Sequence, residues 1–280
     1  MRNLIVPADI DINMYDAIIN NKHQPAKARL VQIRPEILER YTEYELNKSE
    51  LSVMQEINGL CELKKDSLRS CYGKNVNFDM IRKKILETQK LAFQAKCPYC
   101  GLSEPDTIDH YLPKELFPEF SIFGINLLPC CSRCNTLKGQ KWLQNGKRLI
   151  VNYYFDNIPN DKFLYAVIRF SSQVEDLVPV IDFEVRPNRN IPEAIFNRIK
   201  THLEVLKLLQ RFKLAVNDKY STIFEEISFL AQNCSLEVAR SSILNLSDIL
   251  VRKYGKNYWE VSLYEAIADS DDFFQRCKAF

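Results

Sequence analysis

Two cysteine pairs constrain this chain more than any other feature. Cys97-Pro98-Tyr99-Cys100 and Cys131-Ser132-Arg133-Cys134 are both CxxC knuckles. Two knuckles supply four sulfurs at tetrahedral reach, the donor set of a structural Zn²⁺ site closed to solvent. Thirty residues lie between Cys100 and Cys131, more than the roughly 15–20 of a simple zinc ribbon. The metal is therefore expected to pin the base of an inserted element that carries something else. A thioredoxin-like redox pair is the rival reading, but two pairs are present and neither follows a clear βαβ pattern. Cys130 leaves an alternative open, because Cys130 and Cys134 are spaced CxxxC. Cys131 is preferred, since it keeps both knuckles alike.

Composition supports metal over disulfides. The chain has 280 residues and 9 cysteines, an odd count, five of them between 97 and 134. Its first residues carry too many acids and too short an apolar run for an export signal. In a reducing compartment clustered cysteines read as metal ligands. Cys61, Cys71, Cys234 and Cys277 are expected as small core residues on helices. Hydrophobic residues make up 46% and charged ones 26%, which excludes wholesale disorder. Only 7 glycines are present, so a turn-rich β-sandwich is disfavoured and helix is expected. No apolar run is long enough for a membrane span, and a soluble, cytoplasmic protein is expected. Net charge is +2, so any nucleic-acid surface must be a local patch.

Three segments are expected: 1–92 helical, 93–150 around the cysteines, and 151–280 with two strands followed by helices. Pro35 suits a first helical turn, with a helix over 36–71 stopped at Tyr72-Gly73. Asn77 is the expected N-cap of a helix to about 96. Past its first turn that helix carries Arg82, Lys83, Lys84, Lys90 and Lys96 against Glu87 alone, either a solvated face or one that meets phosphates. Residues 163–170 and 178–186 read as strands, the second with period-2 alternation. Pro192 suits a helix start, Ser262-x-x-Glu265 reads as a capping box, and Leu203, Leu206 and Leu209 as an ordinary core stripe.

The residues between the knuckles read as chemistry. His110 stands next to a carboxylate, and a neutral imidazole can deprotonate water near neutral pH. Asp109 is a hard oxygen donor suited to Mg²⁺ or Mn²⁺. The amide oxygen of Asn135, just after Cys134, can complete a metal site that leaves room for water and phosphate. One divalent ion on a scissile phosphate neutralises transition-state charge and steadies the leaving alkoxide. An isolated Asp-His pair is commonly a surface turn; its place between two knuckles is what raises its standing.

CPYC, then DHYLPK, then NLLPCCSRCNTLKG resembles the HNH nucleases of the ββα-metal class, in the subgroup braced by a four-cysteine zinc. The resemblance covers about residues 97 to 141. It implies an α+β, mainly helical chain, with a central zinc-braced ββα finger flanked by N- and C-terminal helical regions. It implies His110 as general base, Asp109 and Asn135 as holders of one catalytic Mg²⁺, and Asn126 as the residue that fixes the backbone aiming His110. Asn135 stands where many members have a second His, and Cys130 is extra. The finger is expected as strands over 107–110 and 125–128 and a helix over 133–143. Lys138 could meet a phosphate, and Arg133 and Lys141 belong to an acid-free basic run with Lys147 and Arg148. Tyr99, Tyr111, Phe117, Phe120 and Phe123 are expected to pack the finger rather than stack on bases.

A looser resemblance, carried by the same block followed by Tyr154-Phe155-Asp156, is to HNH proteins encoded beside ATPases in anti-phage systems of the Septu kind. It implies a nuclease subunit restrained or licensed by an ATPase partner, with the terminal helices as docking surface, while the HNH resemblance itself implies DNA as substrate and cleavage leaving 5′-phosphate ends. The alternative is a zinc-braced module that binds nucleic acid or protein without cutting.

Overall fold

The computed structural model describes residues 1–8, 12–73, 76–172 and 178–280. It is α+β and mainly helical, with three two-stranded antiparallel sheets among the described residues. Its contacts divide into two units, Asn3–Asn157 and a second formed by Met1–Arg2 with Ile158–Phe280. Among the described residues no helix is long and apolar enough to cross a membrane.

In the first unit the helices are α1 (Ile12–Asn20), α2 (Ala26–Gln32), α3 (Arg34–Asn47), α4 (Glu62–Arg69), α5 (Val76–Glu87) and α6 (Leu91–Ala95). Pro35 sits in the first turn of α3 as expected. The continuous helix expected over 36–71 is broken: α3 ends at Asn47, a 3₁₀ turn follows over Leu51–Val53, and an irregular stretch with Gly59 at φ 81° leads into α4. Buried Ile37, Tyr41 and Tyr44 form one stripe along α3, at the spacing of a helix face turned to the core. Tyr41 stacks on Phe123 with ring centroids 3.9 Å apart, and Tyr44 meets Phe120 edge-on at 5.0 Å. The expected helix to residue 96 also breaks, between α5 and α6. There Gln89 turns inward and bonds both the N–H and the carbonyl of Ile5, each at 2.8 Å. The Asn77 side chain, expected as an N-cap, lies outside the described residues.

After α6 come β1 (Thr107–His110), β2 (Leu127–Cys130) and α7 (Ser132–Lys138), then a small hairpin of β3 (Leu143–Gln144) and β4 (Lys147–Arg148). β1 and β2 pair antiparallel with Thr107 opposite Cys130 and His110 opposite Leu127. The second strand starts two residues later than expected, because Gly124-Ile125-Asn126 forms a 3₁₀ turn. Pro129 is tolerated within β2 because a two-stranded ladder leaves its outer edge without a partner strand. α7 stops at Lys138 instead of near 143, since Gly139 at φ 50° ends it with the conformation glycine adopts without strain. The β3–β4 hairpin was not expected; its turn is Asn145-Gly146, whose positive φ angles of 50° and 70° suit a tight two-residue turn.

In the second unit β5 (Leu164–Arg169) pairs antiparallel with β6 (Val180–Val185), close to the expected strands. It continues with α8 (Glu193–Val205), α9 (Leu208–Asn233), α10 (Leu236–Tyr254), α11 (Trp259–Ala268) and α12 (Asp271–Ala279). Pro192 stands at the start of α8 as expected, with no side-chain cap bond. Leu203 and Leu206 of the expected stripe are buried but Leu209 is only half-buried, because Lys207 at φ 52° separates α8 from α9 and Leu208 takes the inward position. Ser262 does not cap a helix: it lies inside α11, where its buried hydroxyl donates to the Leu164 carbonyl at 2.8 Å. The N-caps are Ser235 and Ser270, which accept from the backbone of Val238 and Phe273 at 3.2 Å. Cys71 and Cys277 are core residues, but Cys61 and Cys234 are exposed, because each lies at a helix boundary and not on an apolar face.

Candidate metal centre and the histidine hairpin

The four knuckle cysteines converge. The sulfurs of Cys97, Cys100, Cys131 and Cys134 all lie within 4.8 Å of one another and all four residues are buried. Local backbone explains the convergence. Cys97 N–H donates to the Ser103 carbonyl and Gly101 N–H to the Cys97 carbonyl, both at 2.7 Å, with Gly101 at φ 67°. Cys131 is the N-cap residue of α7 and Cys134 lies in its first turn. Cys100 Sγ and Cys131 Sγ are 3.8 Å apart. A tetrahedron of Zn–S bonds near 2.3 Å has edges of about 3.8 Å, so spacing and donor chemistry both suit zinc. Cys130 is outside the cluster and bonds in β2 opposite Thr107. Burial pushes the Cys130 thiol well above its ordinary range.

The cluster braces both ends of the hairpin. Asp106 Oδ1 accepts from Ser132 N–H at 2.6 Å, a carboxylate at a helix start, where exposed N–H groups favour an anion. Arg82 of α5 donates to the Asp106 carbonyl, so one residue of the expected basic face is tied down locally, while Lys83 pairs with Glu87 at 3.7 Å.

His110 ends β1. It is 7% exposed, with Tyr72 edge-on to its ring at 4.4 Å and its Nε2 2.9 Å from the Ser121 carbonyl oxygen. A carbonyl only accepts, so Nε2 carries the proton and Nδ1 the lone pair. Burial pulls the His110 pKa down to about 3, against the Ser121 bond, and the ring is neutral at physiological pH. Asn126 is fully buried and clasps the loop that follows His110. Its Oδ1 accepts from Leu112 N–H at 2.8 Å and its Nδ2 donates to the Leu112 carbonyl at 3.1 Å and the Phe120 carbonyl at 3.3 Å. Tyr44 OH adds a donor to Asn126 Oδ1 at 3.3 Å. The Asn126 carbonyl accepts from Tyr111 N–H at 2.8 Å.

Asp109 faces the other way along the strand, as neighbouring strand residues must, and is 2% exposed. Its Oδ2 accepts from Tyr99 OH at 2.7 Å and its Oδ1 from Lys138 Nζ at 2.9 Å. Burial pushes its carboxyl above the ordinary range, against the pull of Lys138 and Tyr99. Asn135, on α7, donates Nδ2 to Thr107 Oγ1 and to the Ile108 carbonyl, both at 3.3 Å. Both residues thus lie between β1 and α7, each with its own partners.

Lys138 departs from its expected surface position. Its side chain is fully buried, with Nζ also donating to the His110 carbonyl at 2.6 Å. The reason is helical spacing: Lys138 follows the buried metal-cluster residue Cys134 by four positions and so shares its inward face. Arg133 and Lys141 are exposed. Arg148 is buried, because Asp156 Oδ1 accepts from its Nη2 at 2.8 Å while the Asp156 Oδ2 accepts from Asn152 N–H. The five expected aromatic residues, Tyr99, Tyr111, Phe117, Phe120 and Phe123, are all core. Sequence reasoning missed Tyr99 as a hydrogen-bond donor, Ser121, Tyr72 and the Arg148–Asp156 pair; the CxxC spacing places Tyr99, but nothing local announces the others.

Comparison with known proteins adds two distant similarities. Over 191 residues the chain is 28% identical to protein ea31 of Escherichia phage lambda, a span covering 64% of each. Over 131 residues it is 28% identical to the Septu protein PtuB of Bacillus thuringiensis, covering 44% of this chain and 50% of that protein. The matched spans therefore cover less than two thirds of either relative. No protein-family profile matches the chain, and no solved structure matches it significantly. What the cysteine cluster and the PtuB similarity establish together is a metal-capable chain resembling a Septu component.

Proposed function

We propose that the protein is a metal-dependent HNH endonuclease, a nuclease subunit of a bacterial anti-phage system. The observation that carries the reading is the His110 arrangement. A neutral imidazole is fixed through Nε2 at a strand end, beside a hairpin and helix clamped by four cysteines. In the proposed reaction His110 takes a proton from water at Nδ1, and the Ser121 carbonyl fixes the tautomer that permits it. Asn126 holds the loop behind the histidine, so the ring's aim depends on a buried amide rather than on a mobile chain. Zn²⁺ belongs to the four cysteines and is structural.

Asp109 and Asn135 are the residues that would hold a catalytic Mg²⁺ or Mn²⁺. Their hard oxygens suit such an ion, and the carboxylate already receives a cation, the Lys138 ammonium. When bound, the ion supplies charge neutralisation on the scissile phosphate and its leaving oxygen. Exposed Arg133 and Lys141 are proposed to track the backbone of DNA. The PtuB similarity supports the defence role and a partner within such a system, and the resemblance of the DHYLPK block makes that partner an ATPase subunit. The proposed division keeps 93–150 as the nuclease finger, with 1–92 and 151–280 as flanking regions.

The test is cleavage of plasmid DNA by the purified full-length chain with Mg²⁺ or Mn²⁺. His110→Ala is expected to abolish cutting with zinc content and folding unchanged; normal cutting by that variant overturns the assignment. The competing reading, a zinc-braced binding module without catalysis, draws on one observation: both Asp109 oxygens already have protein partners. DNA binding by a chain that cuts with neither metal would favour it.

A further inference from the structure

We propose that Lys138 is a built-in counter-ion that a divalent cation must displace from Asp109, so that the charge state of the site before metal arrives is set by the protein itself. The inference rests on the nuclease reading above and goes beyond it by assigning Lys138 as a positioning residue that regulates metal entry.

A lysine is almost never fully buried unless it is paired, and this one is buried completely. Its ammonium meets two oxygens, Asp109 Oδ1 at 2.9 Å and the His110 carbonyl at 2.6 Å. Those oxygens form a small cation site: one hard carboxylate oxygen beside one main-chain carbonyl, the donors a divalent ion also takes. Tyr99 OH, at 2.7 Å from Asp109 Oδ2, holds the carboxylate still. Carboxylate and ammonium together are neutral, so a divalent ion entering beside the ammonium meets a like charge with no excess anion to offset it. In a buried setting that repulsion is poorly screened. Metal binding at Asp109 and retention of Lys138 are therefore exclusive.

Lys138 is the last residue of α7, and Gly139 at φ 50° ends the helix directly after it. The proposed displacement is a rotation about the lysine's own four-carbon stem at that helix end, and in the displaced state the ammonium is free to meet a nucleic-acid phosphate. The contact to the His110 carbonyl adds a coupling, because it joins the state of the ammonium to the strand residue that bears the imidazole.

Two measurements on the full-length, zinc-loaded chain test this. The first is Mn²⁺ affinity, read by electron paramagnetic resonance of the free ion. Lys138→Met keeps the stem and removes the charge. It is expected to tighten Mn²⁺ binding by roughly tenfold or more, because apparent affinity scales with the population in which the site is open. Adding Asp109→Asn should remove the gain. The second needs no variant: acylation of lysines followed by mass spectrometry. Lys138 is expected to resist labelling without Mn²⁺ and to become labelled at saturating Mn²⁺.

Equal Mn²⁺ affinity in Lys138→Met and the unaltered chain, with binding still lost in Asp109→Asn, overturns the displacement and leaves the nuclease reading standing. Binding that ignores Asp109→Asn in both backgrounds, or no binding in any chain, overturns it together with the metal role of Asp109. A Lys138 that stays protected at saturating Mn²⁺ also overturns it, since the ammonium would then never leave.

Discussion

The phenol of Tyr99 donates a 2.7 Å hydrogen bond to Asp109 Oδ2. A residue inside the first cysteine knuckle thereby ties down the carboxylate of the strand residue that precedes His110. Tyr99→Phe removes the donor and leaves a buried carboxylate oxygen unsatisfied, which costs about 1–3 kcal/mol. Urea denaturation should show that loss with zinc content unchanged. Unaltered stability would mean the bond contributes nothing.

The two adjacent cysteines should behave differently. Cys131→Ser removes a sulfur from the cluster and is expected to lose zinc and the folded state of the finger together, since metal binding and folding are coupled. Cys130→Ser keeps the cluster intact and places a hydroxyl in a buried strand, a cost of about 1–3 kcal/mol. Metal analysis beside circular dichroism separates the outcomes; zinc retained in Cys131→Ser would reassign the ligand.

Arg148 and Asp156 form a buried pair at 2.8 Å, beside Tyr111 OH, which accepts from Arg148 Nη1 at 3.2 Å. Asp156→Ala leaves the buried guanidinium with the Glu50 carboxylate, 3.2 Å from its Nε, as its remaining anion and is expected to cost about 1–3 kcal/mol, whereas joint replacement with Arg148→Met should recover much of that loss. A double variant no more stable than the single one would contradict the pairing energetics.

Glu119 predicts a pH dependence with a definite sign. Its side chain is fully buried against Arg40, whose Nε and Nη2 donate to Oε1 at 2.9 and 2.8 Å. Burial raises its pKa above the ordinary value of 4.5, against the pull of Arg40. The folded chain thus holds the proton to higher pH than the unfolded one. Its contribution to stability is full below 4.5 and is lost as pH rises through the raised value. The stability of the unaltered chain minus that of Glu119→Gln should therefore fall as pH rises from 4.5. Parallel stability curves for the two chains would refute the assignment.

Arg133 and Lys141 are exposed, so reversing both charges should leave folding intact. In the proposed nuclease, Arg133→Glu with Lys141→Glu weakens binding to duplex DNA by about tenfold at low salt, and added salt narrows the gap. A salt-independent loss, or none, would remove these residues from the DNA surface.

Part of this architecture was legible in the residues alone, because it depends on local spacing. CxxC repeats bring sulfurs together within a turn, so the metal cluster follows from Cys97, Cys100, Cys131 and Cys134. Period-2 alternation likewise marks the strand at Ile181 and Phe183. Turn signals at Asn58-Gly59 and Gly139 were present in the residues and were outweighed by helix propensity around them. Which way a charge points is different in kind. Lys138 and Arg148 read as part of one basic run with Arg133, Lys141 and Lys147, and only packing separated them. The two that found a buried carboxylate, Asp109 and Asp156, turned inward, and the other three face solvent. Local sequence determined the clamp and the histidine at its edge. The tertiary structure decided the partners of each charge, because burial is affordable for an ion only where distant residues supply the opposite one.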